Sequence, residues 1–161
     1  MDLLLECHQR IRFFTTLAER AGRDPGIDDA ERSEACQRAD RYFTVALPLH
    51  MQDEEQSISP RLRGRDAEVD AALQAMHREH EEHETMLAEL SQLLRTVAAQ
   101  PGNLASRARL TAQAARVGSA MHHHLAEEEH VIFPKIGEWL DLAERDAVIA
   151  ELRARRLQSF G

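Results

Sequence analysis

Two segments of the chain, residues 50–60 and 124–134, match each other at a constant offset of 74 residues (124 minus 50). The offset joins five pairs of like residues: His50 with His124, Glu54 with Glu128, Glu55 with Glu129, Ile58 with Ile132, and Pro60 with Pro134. Upstream, His8 plus 74 reaches position 82, between His80 and His83, so a gap of one or two residues lets the first helix repeat as the third. The sequence therefore predicts a duplicated helix pair.

Loops rich in glycine and proline divide the chain into long segments with helical periodicity. They predict four bundle helices and a shorter C-terminal helix, at about residues 2–21, 28–58, 66–100, 104–133 and 141–159. Because long helices joined by short connections favour an up-down-up-down four-helix bundle, we expect one all-α domain over residues 1–161. Pro48 is expected to kink the second helix, and Pro60 is expected to lie in the loop that follows.

Histidine is over-represented, with nine residues where an average composition has about three. Several polar residues occupy positions of the apolar stripes, where core side chains are expected: His8, His50, Glu54, His124 and Glu128. On the third helix, His80 shares a heptad track with Leu73 and Leu87 and is the preferred core histidine. His83 is the second choice, and His77 is ambiguous. Three histidines fall off the stripe and are expected at the surface: His122, His123 and His130.

A histidine and a glutamate four residues apart lie on one helical face, about 5 to 6 Å apart, and can reach one cation. One such pair is ordinarily a solvated pair, but two in repeat register on core stripes indicate a metal site. Buried bare carboxylates are costly, and bound cations remove that cost. Imidazole and carboxylate without thiolate suit iron, manganese or zinc. The candidate ligands are His8, His50, Glu54, His80, His83, His124 and Glu128.

Charge and hydropathy disfavour several classes of function. The net charge of -8 disfavours partners with a phosphate backbone, so no nucleic acid is expected. No apolar run approaches the roughly 20 residues of a membrane-spanning helix, and the first residues lack a basic leader, so a cytoplasmic protein without membrane contact is expected. The ferritin-like pattern needs Glu-x-x-His on two helices, whereas this chain has it once, from Glu127 to His130.

The pattern of candidate ligands resembles that of the hemerythrin-like, or HHE cation-binding, family, and the resemblance covers most of the chain. It is carried by one histidine on the first and third helices and by the motifs His50-x-x-x-Glu54 and His124-x-x-x-Glu128. The resemblance implies a four-helix bundle around a non-haem di-iron centre with an oxo or hydroxo bridge, although zinc or manganese would also suit the ligands. It further implies that Glu54 and Glu128 bridge the metals. The terminal ligands would be His8, His50, His80 and His124.

The resemblance also implies a protein that binds or senses a small molecule such as O2, NO or H2O2. Other functions remain open: an enzyme for peroxide dismutation or NO reduction, a domain that stores or buffers iron or zinc, and a helical interaction module. In a di-iron protein, a dry apolar pocket would control access to the metals. The residues expected to line that pocket are Phe14, Phe43, Leu47 and Leu87.

Overall fold

The computed structural model describes residues 2–159, and these residues form helices without strands. The five helices are α1 (Asp2–Arg23), α2 (residues 29–62), α3 (Ala67–Ala99), α4 (residues 104–139) and α5 (Leu142–Ser159). α2 and α4 are continuous helices that contain wider, π-helical turns: Tyr42–Ala46 and Glu54–Ile58 in α2, and Glu128–Ile132 in α4. The predicted all-α bundle with a short C-terminal helix is confirmed.

The four long helices form a closed ring. α1 packs against α2 and α4, and α3 packs against the same two helices. Polar side chains cap the helices that follow the connections: Asp28, Asp66 and Asn103 each accept a hydrogen bond from backbone N–H groups of the first turn. These caps satisfy amides that would otherwise lack partners, and they define where α2, α3 and α4 begin.

Two apolar cores fill opposite ends of the bundle. The larger core draws on all four long helices through residues such as Ile11, Phe43, Leu90 and Leu125. The smaller core does so through residues such as Leu4, Ile58, Met76 and Ile132. On each of the four long helices the turns between the two cores carry buried polar side chains: His8 on α1, His50 and Glu54 on α2, His80 and His83 on α3, and His124 and Glu128 on α4. The bundle therefore holds a polar layer between two apolar ends.

A proline follows each π-helical turn after one intervening residue. The backbone N–H groups of Leu47, Ser59 and Phe133 bond to carbonyls five residues back, and each of these residues precedes a proline. A proline ring clashes with the carbonyl four residues back, and a wider turn accommodates that clash. The expectation that Pro60 lies in a loop was therefore wrong: α2 continues to Leu62, and α4 continues past Pro134 to Trp139.

The C-terminal helix α5 lies against the second half of α2. Its Val148 and Leu152 side chains are buried in the smaller core. At its outer edge Glu151 accepts two hydrogen bonds from the Arg61 guanidinium, at 2.6 and 3.1 Å. Among the described residues, no helix is both long enough and apolar enough to cross a membrane.

α1 and α4 approach each other closely at Gly22. A Cβ atom there would lie 2.8 Å from the carbonyl oxygen of Arg107 and 2.9 Å from the backbone nitrogen of Thr111. We expect Gly22→Ala to lower the free energy of unfolding by about 1–3 kcal/mol, because the added methyl group forces backbone apart. Urea denaturation followed by circular dichroism measures this change.

Gly137→Ala is the matched control, because Gly137 is an exposed glycine within α4. Alanine has the higher helix propensity, so this variant should be unchanged or more stable by up to about 1 kcal/mol. Equal midpoints for Gly22→Ala and the parent protein would show that α1 and α4 do not pack this closely.

Candidate metal centre

Six of the predicted ligands meet in the polar layer between the two cores. All six side chains are buried, with exposed fractions between 0 and 4%. They are His8, His50, Glu54, His80, His124 and Glu128. The four bundle helices each supply at least one of them, so the layer can form only when all four helices are packed together.

One group of ligand atoms lies towards α1. The Nε2 atom of His8 is 3.2 Å from Glu128 Oε2 and 3.8 Å from Glu54 Oε1. The Nε2 atom of His50 is 3.1 Å from Glu54 Oε1. These four residues offer ligand atoms that all lie within 4.8 Å of one another, which is close enough to surround a single cation.

A second group of ligand atoms lies towards α3. The Nε2 atom of His80 is 3.4 Å from Glu54 Oε2, and the Nε2 atom of His124 is 3.1 Å from Glu128 Oε1. The two Nε2 atoms are 3.2 Å apart. Glu54, His80, His124 and Glu128 again offer ligand atoms within 4.8 Å of one another.

The two carboxylates belong to both groups. Glu54 presents Oε1 to His50 and Oε2 to His80. Glu128 presents Oε2 to His8 and Oε1 to His124. Each carboxylate therefore offers one oxygen atom to each group, which is the arrangement that a ligand shared between two cations requires.

The polar atoms at the middle of this layer lack hydrogen bonds within the described part of the chain. These atoms are both carboxylate oxygens of Glu54, both carboxylate oxygens of Glu128, the Nε2 atom of His8 and both ring nitrogens of His50. A buried polar group left without a partner costs about 1–3 kcal/mol, and more when it is charged. Cations would give these atoms partners and offset the charges, so the residues present fit a metal site.

The protein atoms by themselves hold two of these imidazoles in the protonated form. Burial alone would lower the pKa of His8, but the carboxylates of Glu128 and Glu54 outweigh burial and raise it to about 9. Burial opposes protonation of His124 as well, and Glu128 likewise raises its pKa to about 9. Because a histidine must lose its proton to bind a metal, metal uptake at neutral pH would release protons from this layer.

Carboxylates outside the layer orient two of the histidines. The Nδ1–H group of His8 donates to Glu129 at 2.8 Å, and the Nδ1–H group of His80 donates to Glu55 at 2.9 Å. Such contacts hold an imidazole in one orientation with Nε2 free to bind metal. Glu55 and Glu129 are a repeat pair, and each accepts a hydrogen bond from one of these two histidines. His80 is therefore the repeat counterpart of His8, at an offset of 72 residues. Sequence reasoning noted the match of Glu55 with Glu129 without assigning it a role.

A third outer contact has no counterpart in the other half of the bundle. The Nδ1–H group of His124 donates to Glu79 at 2.7 Å. At the offset of 72 residues between α1 and α3, the residue of α1 that corresponds to Glu79 is Cys7, which is not a carboxylate. No sequence signal marked Glu79, because its role depends on a contact between α3 and α4.

His83, also a predicted ligand, belongs to neither group of converging atoms. Its side chain is 5% exposed, its ring centre is 5.3 Å from that of His124, and its Nδ1 atom has no hydrogen bond within the described residues. The ambiguous His77 is exposed and hydrogen-bonds Glu55. The other three histidines are exposed, as expected: His122, His123 and His130.

A groove between α2 and α3 leads from the surface to the layer. Its volume is about 430 Å³, and its lining includes the buried His80 and the partly exposed Glu55. Three of the four predicted residues line it: Phe43, Leu47 and Leu87. Phe14 lies elsewhere, in a separate cleft where its ring stacks on Tyr42 with centres 4.2 Å apart. The expectation for Phe14 was wrong because helical periodicity does not determine which gap between helices a side chain faces.

Comparison with known proteins places this geometry in a family. The hemerythrin HHE cation binding domain matches residues 1–136. Neither the curated proteins nor the solved structures contain a significant match. The family match spans α1 to α3 and most of α4, and so includes every residue of the two groups described above. The chain therefore belongs to the hemerythrin HHE cation-binding domain family, and its buried histidine and glutamate cluster is a candidate metal-binding site.

Proposed function

We propose that this protein is a non-haem di-iron protein that binds or senses a small molecule such as O2, NO or H2O2. The observation that carries the proposal is the division of each buried carboxylate between two histidine groups. A single cation would leave oxygen atoms of Glu54 and Glu128 buried without partners, whereas two cations would satisfy both. In this proposal Glu54 and Glu128 would each hold both metals.

The donor set supports iron. Each group offers two imidazole nitrogens and one oxygen from each carboxylate, without thiolate. Four protein donors to each iron would leave room for a further ligand, such as an oxo or hydroxo group. A bound pair of irons would supply open coordination positions and two electrons for exchange with O2, NO or H2O2.

A groove in the protein surface would control which small molecules reach the proposed centre. The groove between α2 and α3 has an apolar wall formed by Phe43, Leu47 and Leu87, and His80 also lines it. Its apolar wall suits small uncharged molecules. Glu55 also lines the groove and hydrogen-bonds both His77 and His80, so the polar side of the groove is ordered by hydrogen bonds. We propose that this groove is the ligand path.

Metal analysis of anaerobically purified protein, with an absorption spectrum before and after air, tests the di-iron proposal. We expect about two irons per chain and charge-transfer bands between roughly 300 and 400 nm after oxidation. Turnover of peroxide or NO would favour the enzyme alternative. Zinc, a single metal or no metal would contradict the di-iron proposal, and zinc would favour the buffering alternative.

His124→Ala and His123→Ala form a matched pair on one helix. We expect His124→Ala to lose at least one of the two irons, because His124 contributes one of the four donors of its group. His123 is exposed, so His123→Ala should retain both irons. Iron per chain and helical content are measured on both variants. Full iron occupancy in folded His124→Ala would exclude His124 as a ligand.

Leu87→Trp tests the groove, because a larger side chain at its wall would narrow the path to His80. We expect slower binding of NO or H2O2 to the reduced iron protein, with iron content unchanged, in stopped-flow absorbance. Leu93→Trp on the same helix is the control, since Leu93 lines a different groove. Equal rates for Leu87→Trp and the parent protein would mean that ligands enter elsewhere.

A further inference from the structure

The C-terminal helix α5 reaches a fully buried carboxylate beside the proposed centre. Asp53 is 0% exposed, and each of its oxygens accepts a hydrogen bond from a different arginine of α5. Arg155 Nη1 donates to Oδ1 at 2.6 Å, and Arg156 Nη2 donates to Oδ2 at 2.7 Å. Charge-assisted hydrogen bonds of this length to a buried carboxylate are strong and directional.

Arg156 contacts the residues that precede two of the proposed ligands. Asp53 comes immediately before Glu54 on α2, and Cys7 comes immediately before His8 on α1. The same Nη2 atom that donates to Asp53 lies 3.8 Å from the sulfur of Cys7. One side chain of α5 therefore joins α1 and α2 next to the group formed by His8 and His50.

Further contacts fasten α5 to the π-helical turn that begins at Glu54. Arg155 Nη2 donates to Ser57 Oγ at 2.6 Å, and Ser57 lies within that turn. Arg61, in the following turn, donates to the carbonyl of Ser57 and to Glu151 of α5. The turn carrying the shared carboxylate is thus held on both sides by residues that contact α5.

The second half of the bundle is held differently. The repeat counterpart of Asp53 is Glu127, which is exposed. In that half Glu79 orients His124 by a direct hydrogen bond, whereas Nδ1 of His50 has none within the described residues. The half with fewer direct contacts to its histidines is the half that α5 covers. α5 also lies beyond residues 1–136, the part that matches the family.

We propose that α5 is a strap that positions the metal group of His8 and His50. Arg155 and Arg156 act as positioning residues through Asp53 and Cys7: they hold α1 and α2 so that His8, His50 and the Oε1 atom of Glu54 converge. The strap proposal depends on the proposed two-metal centre. Because linkage is reciprocal, metal binding at this group and docking of α5 stabilise each other.

The first test uses the full-length parent protein and Fe²⁺ under anaerobic conditions. Amide hydrogen exchange of residues 142–159 is measured with and without two equivalents of the metal. We expect exchange in α5 to slow roughly 10- to 100-fold on metal binding, the range by which outer contacts alter metal affinity. Metal binding that leaves exchange in α5 unchanged would overturn the strap.

The second test removes the contact while leaving the ligands in place. The double variant Arg155→Gln, Arg156→Gln should bind one Fe²⁺ as the parent does and the other roughly 10- to 100-fold more weakly, in competition with a chelator. Conservative replacement of both arginines by lysine keeps the positive charges beside Asp53 and should restore most of the lost affinity. A general loss of stability would lower the affinity for both metals together. A loss of affinity for one metal alone therefore separates positioning from folding.

Arg153→Gln and Glu127→Gln are the controls, because Arg153 is an exposed arginine of the same helix and Glu127 is the exposed counterpart of Asp53. Both should bind two metals as the parent does. Two metals bound with unchanged affinity by the Arg155, Arg156 double variant would overturn the strap alone. A parent protein that binds no metal would overturn the proposed centre and the strap together.

Discussion

The burial of two facing carboxylates, Glu54 and Glu128, is the constraint on which the rest of the structure depends. Neither has a hydrogen bond at its oxygen atoms among the described residues, and both lie in a layer closed at each end by apolar side chains. Two like charges in such a place repel and are poorly solvated, so the layer needs positive charge. Protonated histidines can supply this positive charge, and so can cations bound by the histidines and carboxylates together. Packing of all four long helices brings these side chains together.

Local departures from α-helical geometry occur at both carboxylates. Glu54 and Glu128 each stand at the start of a π-helical turn that ends before a proline. The prolines do not end the helices, because the wider turns absorb the clash of the proline ring. As a result both carboxylates lie inside continuous helices that run past the polar layer into the smaller core. Packing of the following turns in that core fixes the positions of the carboxylates.

The two halves of the bundle are alike in their inner residues and different in what surrounds them. Glu55 and Glu129 orient His80 and His8 in the same way in each half. Beyond these, one half has Glu79 against His124, and the other has α5 against Asp53. A duplicated frame with unequal surroundings would give the two metals of the proposed centre distinct environments. The groove reaches the layer beside His80, in the group that lies towards α3.

The sequence by itself determined the helical class, the duplication and most of the inner residues. Helical spacing and the repeat depend on residues close along the chain, so His50, Glu54, His124 and Glu128 could be identified without coordinates. Only the tertiary structure shows that His83 lies outside both groups of converging atoms and that Phe14 lines a different cleft. It also shows the hydrogen bonds of Glu79 with His124 and of Asp53 with α5. Each depends on the rotation of a helix and on what a distant segment places against it, and one-dimensional periodicity does not encode those contacts.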